Sequence, residues 1–208
     1  IHDFENSKYA DGSYFEKYVT KDWGLQSDVV KVLFEGIFIT GIEDWKKLKE
    51  NVMQDGLYNQ YRLAVAPNGS TSYINDSTAS LHPIINRVEE RQEKMIGKIY
   101  YPAPYLSNDT MPYYRSAYDM DMRKVIDTYA AAQQHIDQSL SMTLFMRSTI
   151  PAGLYEWKNG RTDKMTTRDL NILRHYAYKR GIKSIYYIRT FTDDSGEIGA
   201  NQCESCVI

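Results

Sequence analysis

Both cysteines of this 208-residue chain stand in one C-x-x-C pair, Cys203 and Cys206, within its last six residues. A pair so spaced can cycle between dithiol and disulfide, with a thiolate as the attacking group. Glu204 lies between the two and disfavours the thiolate, so exchange there would owe more to exposure than to activation. As half of a zinc site the pair would need two further ligands. His2, His82, His135 and His175 are not paired at ligand spacing. A second constellation is Tyr186-Tyr187. Adjacent phenols can pass on an electron and a proton in succession, because each can be oxidised once its proton has an acceptor. On a regular strand the two rings would point to opposite faces, so such use requires a bend or a strand end that lets the rings stack; a core aromatic is the other reading. The third is the small-residue loop Pro67-Asn68-Gly69-Ser70-Thr71-Ser72. It can offer several backbone N–H groups and three hydroxyls to one anion, and a helix starting there would add partial positive charge. An ordinary polar turn is the alternative.

These residues need elements to position them. Residues 1–35 read as short helical pieces. Thr40 and Glu43 have capping-box spacing, and Trp45, Leu48 and Val52 form the apolar stripe of a helix closed by Gly56. Tyr61 to Ala66 reads as a buried strand ending at Pro67. Pro83 introduces a helix near Ile84 to Met95, followed by an extended edge piece from Lys98 to Tyr105 containing Pro102 and Pro104. Asp119 to Leu140 reads as a helix of about six turns, and Ser141 to Met146 as a strand. Thr166 with Asp169 starts another helix, with Leu170, Leu173 and Ala177 inward and Gly181 as its stop. Ser184 to Thr190 is the last strand. Strand, helix and strand in this order predict parallel pairing with a right-handed crossover. The fold class is α/β, with residues 1–190 forming one domain. Residues 191–208 form a flexible redox tail, too polar to offset its ordering entropy.

Composition narrows the function. A net charge of −2 argues against a nucleic-acid or membrane binder, since phosphate tracking needs a basic stripe. No apolar run approaches the length of a membrane span. Ile1 is not an initiating methionine and no signal peptide is present, which points to a cytoplasmic protein that is processed or part of a larger subunit. Walker, Gly-x-Gly-x-x-Gly and His-Glu-x-x-His signatures are absent. His135 and His175 read as packing or surface residues, and Asp119 and Asp121 as partners of a helix start.

Five ordered stretches carry a resemblance: Asn59-Gln60-Tyr61-Arg62-Leu63-Ala64, the loop Pro67 to Ser72, Ile136-Asp137-Gln138-Ser139, Gly181 to Tyr187, and the terminal C-x-x-C. Together they resemble the C-terminal part of the large (α) subunit of class I ribonucleotide reductase, most closely class Ib. The resemblance implies the C-terminal portion of a ten-stranded α/β barrel and an oxidoreductase of deoxyribonucleotide synthesis. It implies that Pro67, Asn68, Gly69, Ser70 and Thr71 bind the diphosphate of a ribonucleoside diphosphate. Tyr186 and Tyr187 would relay a radical from a small dimetal (β) subunit, this chain itself holding no cofactor. Cys203 and Cys206 would re-reduce the active-site disulfide and then be reduced by a thioredoxin- or glutaredoxin-like partner. The roughly thirteen residues after Phe191 would reach at most about 45 Å extended and roughly 20 Å as a flexible coil.

One departure accompanies these matches. The family's chemistry needs a thiyl-forming cysteine and two reducing cysteines inside the barrel, and this chain has only the terminal pair. The chain is therefore expected to act with an N-terminal part of the large subunit that carries the thiyl centre. The competing expectation is a stand-alone thiol-exchange or zinc-binding module using the C-x-x-C.

Overall fold

A computed structural model describes residues 3–93, 97–158 and 163–192. The chain folds as two compact units, Ile1–Arg62 and Leu63–Ile208.

In the first unit, single turns of 3-10 helix at Phe4–Asn6 and Ser13–Phe15 lead into helix α1 (Glu16–Val19), followed by α2 (Asp28–Leu33) and α3 (Ile42–Asp55). The α3 cap lies one residue later than expected. Gly41 is the cap, in extended conformation, and its N–H donates to the Asp44 carboxylate at 2.9 Å. The helix ends, as expected, at Gly56, whose φ of +78° is left-handed. Val52 on α3 is buried with Phe15 and Tyr18, and Tyr18 stacks on Trp45 at 4.2 Å.

The second unit contains α4 (Gly69–Ile74), β1 (Val88–Glu93), β2 (Gly97–Pro102), α5 (Met122–Gln133), β3 (Thr143–Arg147), α6 (Thr167–Lys179) and β4 (Tyr187–Phe191). The strands form two two-stranded sheets, β1–β2 antiparallel and β3–β4 parallel. Helix and strand are mixed, as the α/β reading expects, and no closed barrel forms among the described residues. The parallel β3–β4 pair with α6 between its strands matches the order read from sequence. The Thr166–Asp169 capping box is present with both of its bonds, and Gly181 follows α6 at φ +83°. The core packs Met122, Val125, Ile126 and Tyr129 of α5 with Leu144, Phe145 and Met146 of β3 and Leu173 and Ala177 of α6.

Three expectations fail. Of the helix expected near Ile84 to Met95, the described residues 84–93 form none, and β1 begins at Val88. Its Glu- and Arg-rich run has good helix propensity, but Glu90 pairs across the ladder with Lys98 at 2.6 Å and Gly97 takes φ +88°. The helix predicted over Asp119 to Leu140 is α5 alone. Asp121 caps it through Arg123 N–H at 2.9 Å. It stops after Gln133, because the buried Gln133 amide turns to bond the carbonyls of Ile136 at 3.1 Å and Gln138 at 2.9 Å. The strand predicted at Tyr61 to Ala66 is reduced to one parallel bridge, Val65 to Leu140. It is paired along one edge, and its side chains are not buried: Tyr61 is 68% and Leu63 55% exposed.

Candidate functional site

Three of the stretches singled out in the sequence converge beside β3. Leu63 to Val65 runs parallel to residues 138–141, with Gln138 N–H donating to Leu63 O at 3.0 Å, Val65 N–H to Ser139 O at 3.1 Å and Ser141 N–H to Val65 O at 3.0 Å. The Asp137 carboxylate accepts the Leu63 N–H at 2.6 Å. On the opposite edge, the Lys183 ammonium donates to the Asp137 carbonyl and the hydroxyls of Ser139 and Ser184 touch. Tyr186 N–H donates to Met142 O at 2.7 Å. Residues 137–142 thus tie the segment leading to the small-residue loop to the segment carrying the tyrosine pair. Sequence reading noted Asp137 only within a motif and missed Gln133, which pins that turn from α5. An amide at a buried helix position was the available signal.

Pro67 and Asn68 lead directly into α4, with Asn68 at its cap and Gly69, Ser70 and Thr71 in its first turn. The first intrahelical bond is Ser72 N–H to Asn68 O at 3.1 Å, so the N–H groups of Gly69, Ser70 and Thr71 precede it with no acceptor inside the helix. Ser70 and Thr71 are exposed. The third hydroxyl is not available: Ser72 is buried and its hydroxyl donates to Gly69 O at 2.6 Å. Gly69 itself is not required by packing, since a Cβ placed there would meet no protein atom within 4 Å. It leaves open space at the first turn.

Tyr186 and Tyr187 lie at a strand end, as their use in a relay would demand, but their rings meet edge to face and are not stacked. β4 starts only at Tyr187, so the pair lies at a strand end. The amides of both residues converge on the Met142 carbonyl, at 2.7 and 3.4 Å. The rings touch edge to face, with centroids 4.3 Å apart and planes at 64°. Tyr186 is 49% exposed, Tyr187 is half-buried, and the Arg189 guanidinium lies 5.8 Å from the Tyr187 ring centre. Cys203 and Cys206 lie outside the described residues. Among the described residues no group of three or more His, Cys, Asp or Glu side chains is arranged to hold a metal, and no helix is long and apolar enough to cross a membrane. A shallow basic groove along α6, lined by Arg123, Arg168, His175 and Lys179 among others, contains neither the tyrosine pair nor any residue of the small-residue loop.

Residues 1–188 match the family model of the ribonucleotide reductase barrel domain. The chain belongs to the ribonucleotide reductase family. It is 47% identical over 205 residues to a ribonucleoside-diphosphate reductase subunit alpha of Bacillus subtilis, a match covering 99% of this chain and 26% of that protein. It is 48% identical to the NrdEB subunit alpha of the same organism, covering 99% of this chain and 17% of that one. The subunit alpha of Mycoplasma pneumoniae is 44% identical over 216 residues, 99% of this chain and 28% of its own length. The chain therefore spans between 17% and 28% of the length of these reductase subunits. The part it matches is the barrel domain, consistent with the parallel β3–β4 arrangement.

Proposed function

We propose that this chain serves as part of the large subunit of a ribonucleoside-diphosphate reductase, contributing a diphosphate-binding loop, a tyrosine relay and a shuttle dithiol. The observation that carries the reading is the edge-to-face contact of Tyr186 and Tyr187 at 4.3 Å at the strand end of a ribonucleotide reductase barrel chain. In the relay each phenol in turn gives up an electron and its proton and is restored as the hole moves on. Family membership and the open first turn at Gly69 support assigning the diphosphate to Pro67, Asn68, Gly69, Ser70 and Thr71. The N–H groups there would donate to phosphate oxygens, with charge-assisted bonds stronger than neutral ones.

The net reaction takes two electrons and two protons from a dithiol, releases the 2′-hydroxyl as water and leaves a disulfide. Cys203 and Cys206 would supply those electrons by thiol–disulfide exchange and regain them from a thioredoxin- or glutaredoxin-like dithiol. The hole would come from a small metal-containing subunit, and the thiyl-bearing cysteine from the remainder of the large subunit.

The test is deoxynucleotide formation by this chain assembled with those two partners. Tyr186→Phe and Tyr187→Phe should each abolish turnover, because phenylalanine has no phenolic proton to lose; turnover at the unsubstituted rate in either variant refutes the relay. Cys203→Ser with Cys206→Ser should abolish turnover driven by a thioredoxin-type protein yet preserve it with a small dithiol. Equal loss with both reductants refutes the shuttle.

A further inference from the structure

The small-residue loop cannot hold its shape unaided. α4 has six residues, too few for a helix to be stable by itself, and the Asn68 side chain makes no capping bond. Backbone bonds tie the two ends of α4, Asn68 N–H to Ala79 O at 3.4 Å and Ser77 N–H to Ser72 O at 2.9 Å, and its contact with the hairpin is made by the side chain at its fifth position, Tyr73, which lies just outside the stretches singled out from sequence. Its hydroxyl donates to the Glu89 carboxylate at 2.5 Å. Its ring lies 4.3 Å from that of Tyr101, and the Arg91 guanidinium sits 4.4 Å from its centre. All three partners belong to the β1–β2 hairpin. Glu89 is directly opposite Tyr101 in the antiparallel register, and Arg91 is two residues along the same strand, so the three share one face. Burial first, and then the Glu89 carboxylate, push the Tyr73 phenol above its ordinary range, which keeps it a donor at neutral and mildly alkaline pH.

We propose that Tyr73 is the positioning residue of the diphosphate loop, and that the β1–β2 hairpin, through Glu89, Arg91 and Tyr101, sets how tightly the loop holds a diphosphate. This rests on the assignment of Pro67 to Thr71 to the substrate diphosphate. Tyr73 follows Thr71 by two residues, so any tilt of its ring is passed directly to the first-turn N–H groups. The hairpin need not touch substrate to govern the affinity of the loop.

The experiment is steady-state kinetics of the assembled reductase carrying Tyr73→Phe, Glu89→Ala or both. Tyr73→Phe keeps the ring contacts and loses only the hydroxyl, so the fold is retained. Each single variant should raise KM for a ribonucleoside diphosphate about ten- to a hundredfold, with kcat within about twofold, the effect of one lost hydrogen bond to a charged group. The double variant should be no worse than the single ones, because both remove the same bond, and Glu89→Gln, which keeps an acceptor, should recover part of the loss. Inhibition by the corresponding nucleoside, which lacks phosphate, should not change. A fall in kcat at unchanged KM, or equal weakening of nucleoside and diphosphate, overturns the positioning role. Gly69→Val separates the two layers, since its side chain would fill the space before the first turn. If it leaves KM unchanged, the diphosphate assignment falls and this inference with it. If it raises KM while Tyr73→Phe and Glu89→Ala do not, only the positioning role falls.

Discussion

Lys158 and Asp169 form a salt bridge at 3.2 Å with side chains only 7% and 2% exposed. Asp169 is also the third residue of α6, where its carboxylate accepts from the N–H and hydroxyl of Thr166 at 3.0 and 2.6 Å. Lys158 also donates to the Lys164 carbonyl. At an effective dielectric constant of about 20, two unit charges at this separation attract by about 5 kcal/mol, and desolvation of both charges opposes that gain. Removing one partner leaves the desolvation of the other uncompensated. Lys158→Met should therefore destabilise the fold by about 3–5 kcal/mol. The double variant Lys158→Met with Asp169→Asn should be less damaged than Lys158→Met alone, because no isolated charge stays buried. The pair also predicts a pH dependence. Burial alone would raise the Asp169 carboxyl, but Thr166 and Lys158 outweigh it and hold the group below its ordinary value. A carboxyl held low in the fold contributes stability above its unfolded pKa of about 3.9, and that contribution is lost as pH falls through the lower folded value. Urea denaturation at pH 7 and at pH 3 measures both effects. Lys158→Met should lose much of the acid sensitivity seen in the unsubstituted chain. A cost below about 1 kcal/mol for Lys158→Met, or an unchanged acid slope, would refute the reasoning.

Two further outcomes follow from individual residues. Burial holds the His82 imidazole below its ordinary pKa, against a 2.7 Å contact of its Nδ1 with Pro83 O and beside the Phe145 ring at 4.6 Å. The neutral ring is favoured in the fold, so its contribution is full above about pH 6.5 and falls as the pH drops toward the folded value. His82→Gln should flatten that part of the stability–pH curve measured between pH 7 and 5. Gly181 takes φ +83° after α6, where a Cβ would meet nothing within 4 Å. Gly181→Ala should therefore cost about 1–2 kcal/mol from backbone conformation alone, read as a shift in the denaturation midpoint with an unchanged slope.

What could be read from residues in order was what neighbours in the chain decide. The Thr166–Asp169 capping box and the Gly56 and Gly181 stops each depend on contacts a few residues apart, and each is present; the strand read from Ser141 begins only at Thr143, where its distant partner β4 starts. The β1–β2 hairpin was not legible, because a run such as Glu89-Glu90-Arg91-Gln92 favours helix locally and becomes a strand only through partners on β2. The end of α5 was misplaced for the same reason. The apolar spacing continues to Leu140, but the Gln133 amide and Asp137 carboxylate are committed to the turn and to Leu63.

The candidate site divides along the same line. Sequence alone determined which residue types are present: a small-residue loop, two adjacent tyrosines and a terminal dithiol, in the order of a reductase barrel. Only the tertiary structure decided that Ser72 turns inward, that Gly69 faces open space, and that the tyrosine rings meet at a strand end instead of pointing apart. It also brought Tyr73 against Glu89, Arg91 and Tyr101. The physical reason is range: residue type and local backbone preference act over a few positions, whereas ring contacts, buried hydrogen bonds and the space left beside a glycine depend on elements distant in the chain.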